Sequence, residues 1–320
     1  MRTASLTFVR GVRVGHATAP EVPTGVTAIL FDGPAPTVVD VRGGASGTYD
    51  TGSLALDATF GGRCGLFFSG GSQFGLDAAR GVRNAILEQG GGVGVFGHPT
   101  RLAPVSGAVL FDLPPPGSVW IDYLPYGYAA AKEASTAPVR SGRVGAGAGA
   151  TLGKYRGRLH STPGGLASRA VVLRGGGRVG VLVVVNAVGA IFDESRGRFI
   201  AGSRDDRGRL IPPDGSFGTA ERGTTLAAVV TDVPLERRQL ARLAVAAHDG
   251  LARAIRPVHT ATDGDVVFAT ATTLPSGAPA ERRPGAEVDR IGPVVADLTV
   301  ATILDVGRSA PRRSGPVRGG

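Results

Sequence analysis

Five short segments of the chain carry residue types that could do chemistry. In Glu-Arg-Gly-Thr224-Thr225-Leu a long polar stretch gives way to an apolar run. A threonine hydroxyl is a weak nucleophile unless a base lies beside it. A cut on its N-terminal side supplies one, because the freed α-amine has an ordinary pKa of about 7.7–8.0. In the uncut chain the same hydroxyl can attack the carbonyl of Gly223, a residue without side-chain bulk that tolerates a strained backbone. Taken alone, Thr224 reads more simply as a strand's first residue, since threonine favours strands. In Thr262-Asp263-Gly264-Asp265 two carboxylates flank a glycine. Such a pair can hold an ammonium group and tune its pKa, although Asp-Gly is also an ordinary turn.

The glycine-rich run Val144-Gly-Ala-Gly-Ala-Gly-Ala-Thr-Leu-Gly153-Lys154 ends in one of only two lysines. Its amides and ammonium could stabilise an oxyanion. As a phosphate loop it fails: Ala148 stands where the Walker pattern has glycine, and Tyr155 follows the lysine where Ser or Thr is needed. The looser dinucleotide fingerprint through Gly145, Gly147 and Ala150 has no preceding apolar strand and no acidic residue near position 170. Asn186 closes the run Val183-Val-Val-Asn186, where its amide could donate to an oxyanion or cap a turn. Ser69-Gly-Gly-Ser72-Gln-Phe-Gly75 misses the nucleophile-elbow pattern because Phe74 replaces its last glycine, so it reads as a turn opening a helix.

Elements must hold these residues together. Apolar runs at 26–31, 37–41, 64–68, 108–113, 170–173, 179–185, 224–230 and 265–271 predict strands, and several are apolar throughout, as in a sheet covered on both faces. Phe74, Ala78, Val82 and Ile86 recur at every fourth residue and predict a helix. Leu240, Leu243, Ala244, Ala247, Leu251 and Ile255 predict a second, which Pro257 ends. A third is expected over 286–304 and a fourth near 126–135. The connection 193–223 is long, polar and rich in turns, with a short apolar piece at 199–201; a loop of that length is functional or disordered.

With 320 residues, 42% of them hydrophobic, and 51 glycines, the chain suits one large domain or two small ones, with close backbone packing and many tight turns. Its net charge of +9 is concentrated partly in a Pro/Gly/Ser-rich tail holding Arg308, Arg312, Arg313 and Arg318, and no basic run interleaves with aromatics, which argues against nucleic acid as partner. The lone Cys64 excludes an intrachain disulfide and reads as a buried thiol. The five histidines lack metal-ligand spacing, so neither a metal nor another cofactor is expected. No apolar stretch reaches the length of a leader or membrane span, which predicts a cytoplasmic protein without a membrane partner.

Together these segments resemble the DmpA family, the L-aminopeptidase/D-esterases that include β-peptidyl aminopeptidases and nylon-oligomer hydrolases. The resemblance runs from Val14-Gly-His-Ala to about Asp305 and also takes in Val41-Arg-Gly-Gly44 and the block from Ala247-His-Asp-Gly to Pro257-Val-His-Thr260. It implies an αββα sandwich of the DmpA/ornithine acetyltransferase type within the α/β (α+β) class. It implies one domain over 1–305, with 306–320 as a disordered basic tail, self-processed into 1–223 and 224–320. Thr224 would be the nucleophile, Asp263 and Asp265 the acidic pair that positions it, and Lys154 and Asn186 the groups that line the site and meet the oxyanion. The substrate class would be small peptides or amides, and the assembly a homotetramer. An acyltransferase of the ornithine acetyltransferase type is the alternative on the same scaffold. Where some members place an active-site tyrosine this chain has Phe111, with Tyr123, Tyr126 and Tyr128 as other sources of a hydroxyl.

Overall fold

The computed structural model describes residues 4–113, 117, 119–215, 222–274 and 285–309. Eight strands and four helices position the site. The strands are β1 (Val12–Thr18), β2 (Gly25–Val41), β3 (Gly62–Ser69), β4 (Val105–Val109), β5 (Gly165–Val172), β6 (Arg178–Asn186), β7 (Thr224–Thr231) and β8 (Val266–Ala271). The helices are α1 (Ala78–Glu88), α2 (Tyr123–Lys132), α3 (Arg237–Ala254) and α4 (Ala286–Ser309). The sheet order is β5-β6-β7-β8-β2-β3-β4, closed at the β4 edge by the short strand Thr48–Tyr49, with β1 paired to β2. β7 and β8 run parallel, as do β3 and β4; the other neighbours are antiparallel.

β2 joins two halves of this sheet. Its first residues pair with β1 and β3, while Thr37 to Val41 pair with β8. The two expected strands at 26–31 and 37–41 are therefore one 17-residue strand, continued through Gly33-Pro34. The halves face each other across a core holding Ile29, Phe31, Leu66 and Phe68 from one and Leu182, Val184, Leu226, Ala228 and Phe268 from the other. Alternate residues of the second half, Val181, Val183, Val185, Ala227, Val229 and Val267, pack instead on Leu240, Leu243, Ala247 and Leu251 of α3 and Ile291 and Val295 of α4. Val26, Ala28 and Leu30 turn outward onto α1 and α2. The result is an αββα sandwich, and strands buried on both faces need no polar alternation. All eight residues of β7 are buried.

The helices differ from expectation mainly at their ends. α1 starts at Ala78, because Ser72–Asp77 forms a 3-10 turn that leaves Phe74 at the surface against Trp120 rather than on the buried stripe. α2 begins at Tyr123, where the Asp122 carboxylate accepts the Leu124 N–H as its N-cap. α3 opens with a reciprocal capping box between Glu236 and Gln239. α4 continues to Ser309 with Val306 and Gly307 buried, so the helix takes in the first residues of the expected tail; 310–320 lie outside the described residues. β4 begins three residues before the expected strand at 108–113. Cys64 is buried, as expected. Within the long connection, the apolar piece becomes a strand, Arg198–Ala201, paired with Ala190–Asp193.

Phe268 lies fully buried between the sheet halves, its ring centroid 6.2 Å from that of Phe68. Phe268→Ala should lower the unfolding free energy by about 3–5 kcal/mol. Urea denaturation checks this: the midpoint falls while the slope stays constant.

Candidate active site

Register places the site. Asn186, the last residue of β6, pairs with Thr224, the first residue of β7, so the amide and the hydroxyl start from adjacent strand ends. β7 and β8 are parallel, and the turn that feeds β8 carries Asp263 and Asp265 to the same end of the sheet. Gly223 forms a parallel bridge with Asp263, donating its N–H to the Thr262 carbonyl at 3.2 Å.

All five expected site residues come together, and all are buried: Thr224 is 3% exposed, Lys154 2%, Asp263 and Asp265 1% each, and Asn186 0%. The Gly223–Thr224 peptide lies at their centre. The Thr224 hydroxyl donates a short hydrogen bond to the carbonyl of Gly223, and the Gly264 N–H donates to the same oxygen at 3.0 Å. Asp263 takes the Val188 N–H on Oδ1 at 3.2 Å and the Thr260 N–H and hydroxyl on Oδ2 at 3.2 and 2.7 Å. Burial, together with the negative charge of Asp265, pushes the Asp263 pKa up, against the pull of the Thr260 and Val188 donors. Asp265 receives the Thr225 N–H on Oδ1 at 2.6 Å and two donors from His259 on Oδ2.

Lys154 and Asn186 hold one another. Lys154 Nζ donates to Asn186 O at 2.7 Å, Asn186 Oδ1 at 2.8 Å and the Arg222 carbonyl at 3.1 Å. Asn186 Oδ1 also accepts the Thr151 N–H, and Nδ2 donates to the Phe111 carbonyl at 3.1 Å. Of the side-chain donors expected to meet an oxyanion, Lys154 thus holds the Arg222 carbonyl just before the Gly223–Thr224 bond and Asn186 Nδ2 holds Phe111, while the Gly264 amide meets the Gly223 oxygen. Phe111 is a wall of the site in two ways: its carbonyl orients Asn186, and its ring lies 5.2 Å from the Arg222 guanidinium. The tyrosines sit on α2, where Tyr123 bonds Thr24 and Tyr128 bonds Glu88.

The glycines explain themselves by crowding. A Cβ on Gly43 would collide with the backbone of Asp263 and Asp265, one on Gly223 with the Asp263 carboxylate and Val188 N, and one on Gly153 with Gly202 and Ser203. The glycine-rich loop docks on the Asn186–Gly189 turn through Gly153 N–H to Gly189 O and Lys154 N–H to Val188 O, at 2.9 and 2.7 Å.

Three participants escape the sequence reading: Gly264, His259 and Asp112. Asp112 takes the Gly71 N–H at 2.6 Å and the Thr24 hydroxyl at 3.1 Å, tying the Ser69–Gly75 turn to the strand end that carries Phe111. Burial raises its pKa from the ordinary 3.8 to about 6, opposed by these donors and by the charge of Lys154.

Two open cavities lie away from this cluster. One of about 770 Å³ lies at the opposite end of β7, beside Asp232 and Val233, and one of about 430 Å³ is lined by Arg196, Arg198, Arg204 and Arg308. Among the described residues no group of three His, Cys, Asp or Glu side chains could hold a metal, and no helix is long and apolar enough to cross a membrane.

The sequence matches the family model of peptidase family S58 over residues 4–315. It is 35% identical to an uncharacterised aminopeptidase of Mycobacterium tuberculosis, over 94% of this chain and 92% of that one. It is 31% identical to the 6-aminohexanoate-oligomer endohydrolase of Paenarthrobacter ureafaciens, over 93% and 84%. The fold is shared with a Burkholderia β-aminopeptidase at a TM-score of 0.67 and 23% identity, covering 95% of this chain and 86% of that one. It is also shared, at 0.67 and 19%, with the L-aminopeptidase D-Ala-esterase/amidase of Ochrobactrum anthropi, described as a variant of the Ntn hydrolase fold, with 95% and 85% covered.

Asp112 yields a stability prediction. A carboxyl whose folded pKa lies above its unfolded one favours the fold below the unfolded value, and that contribution is lost as pH rises through the folded one. The wild-type chain should lose on the order of 3 kcal/mol from this group between pH 3.8 and about 6. Asp112→Asn should remove that slope, as read from urea midpoints across this range.

Proposed function

Because the chain belongs to peptidase family S58, we propose that it cleaves itself between Gly223 and Thr224 and then uses Thr224 as an N-terminal nucleophile to hydrolyse small peptide or amide bonds. The observation that carries this reading is the Thr224 hydroxyl hydrogen-bonded to the carbonyl of Gly223, beside a carboxylate whose pKa is raised.

Self-cleavage begins as Thr224 Oγ attacks the Gly223 carbonyl carbon. The C–N bond to Thr224 breaks, a C–Oγ ester forms, and the hydroxyl proton ends on the departing amine. The Gly264 N–H, already on the Gly223 oxygen, donates to the negative charge that develops there. Lys154 fixes the approach by gripping the Arg222 carbonyl. Water then splits the ester, leaving a carboxylate on Gly223 and a free amine and hydroxyl on Thr224.

In the processed enzyme that amine is the base for its own hydroxyl. A substrate acyl group passes to Oγ and then to water, the amine shuttling the proton each time. Asp263 and Asp265 hold the amine. Release of the Arg222–Gly223 end lets Lys154 Nζ turn from the Arg222 carbonyl to the substrate oxyanion, and Asn186 Nδ2, held by Phe111 through one N–H, offers the other. Short α-, β- and ω-amino-acid amides are the substrate class, in keeping with the aminopeptidase and the 6-aminohexanoate-oligomer hydrolase named among the relatives. Those named activities are hydrolytic, which favours water over an amine as acceptor. A homotetramer is the expected assembly.

Thr224→Ala should remain one chain and lose roughly a thousandfold or more of its amide hydrolysis, while Thr224→Ser should still cut itself. Denaturing gels and a panel of short amides check this; a cut or active alanine variant would place the nucleophile elsewhere. Product analysis with an added amine should yield free acid, not the transferred amide.

A further inference from the structure

Asp263 and Asp265 are two residues apart and equally buried, yet their partners differ. Asp263 is held by main-chain N–H groups and a hydroxyl. Asp265 Oδ2 takes the main-chain N–H of His259 at 3.0 Å and lies 2.8 Å from His259 Nδ1. An ionised carboxylate only accepts, so Nδ1 carries the proton.

The ring is fixed from behind. His248 of α3 meets it edge to face, with centroids 4.8 Å apart. His248 is fixed in turn, because its Nε2 lies 3.1 Å from the Asp40 carbonyl, which can only accept. Burial holds the His248 pKa down to about 4, so it is a neutral wedge. His259 itself sits at φ +55°, where a residue with a Cβ is strained. That conformation lets one residue present both its main-chain N–H and its ring to the same oxygen. The charged and titratable groups around it are Asp265 and Asp263 from its own loop, His248 from α3, and Asp40 and Arg42 at the end of β2, which act on it through His248.

We propose that His259 is a positioning residue for the reaction at Thr224: it clamps one oxygen of Asp265 so that the other stays on the Thr225 N–H. The inference rests on the reading of Thr224 as the nucleophile. The clamp fixes the main chain of the residue after the nucleophile, the second of β7. Without the ring, the pair loses a donor to its charged form and takes up a proton at higher pH. The deprotonated pair is the form that holds the α-ammonium, so the acid limb of kcat/KM moves up.

Two substitutions separate positioning from filling space. Asparagine and glycine both tolerate the left-handed backbone, but only asparagine keeps an N–H near the position of Nδ1. In His259→Gly, self-cleavage and kcat should fall roughly ten- to a hundredfold. KM should change little, and the acid limb should rise by about one pH unit. His259→Asn should recover most of kcat and return the limb towards its wild-type position. A glycine variant that cuts and turns over at the wild-type rate overturns the proposal. So do asparagine and glycine variants that are equally slow with an unmoved acid limb. A downfield ring N–H resonance in uncut Thr224→Ala protein, lost on adding His259→Asn, tests the clamp without relying on the glycine variant; its absence also overturns it. Wild-type protein that fails to cut itself would remove the nucleophile reading, whereas normal wild-type behaviour with indifferent His259 variants would remove only the clamp.

Discussion

Two carboxylates buried within three residues of one another set the terms for everything around them. An aspartate taken out of water is costly unless donors replace the lost hydration, and a second one beside it adds repulsion. Here the donors come from three parts of the chain: Val188 after β6, Thr225 at the start of β7, and the turn from His259 to Thr260. Satisfying Asp263 and Asp265 therefore assembles the strand ends that carry Asn186 and Thr224. Glycines at 43, 44 and 223 stand where a Cβ would collide with the main chain of a neighbouring segment, and a Cβ on Gly264 would press on the Thr224 hydroxyl. The same arrangement leaves the Gly223 carbonyl between the Thr224 hydroxyl and the Gly264 amide.

The scaffold gives that cluster its rigidity. β6, β7 and β8 are covered on one face by α3 and α4 and on the other by the opposing sheet half. A strand with no solvent face cannot slip by one residue without exchanging two packed surfaces. The pairing of Asn186 with Thr224 is thus fixed by cores far from the chemistry. On the opposite half, Asp112, Thr24 and Tyr123 lock the turn before α1 to the end of β4, which sets the Phe111 carbonyl that orients Asn186.

Much of this was legible in the residues. Uninterrupted apolar runs marked strands buried on both faces, and helical spacing of apolar residues marked α1 and α3. The abrupt change at Gly223 marked the start of β7. What was not legible is through-space information. Gly33-Pro34 looks like a turn, yet β2 runs on through it because each end pairs with a different half. Phe74 kept helical spacing but falls on a 3-10 turn, where it faces Trp120. The direction of the Asn186 amide depends on Phe111, 75 residues away. His259 carries no local signal beyond its place before Thr260; only the fold brings His248 behind it. Asp112 reads as a polar residue at a strand end until Gly71 and Thr24 close over it.

The central claim is that this geometry breaks the bond it surrounds. The most direct measurement is the intact mass of the freshly purified wild-type protein, combined with N-terminal sequencing of each polypeptide. The account predicts two polypeptides, one ending at Gly223 and the other beginning with an unblocked Thr224. A folded protein that remains a single chain of 32.4 kDa, or one cut at any other bond, would contradict it.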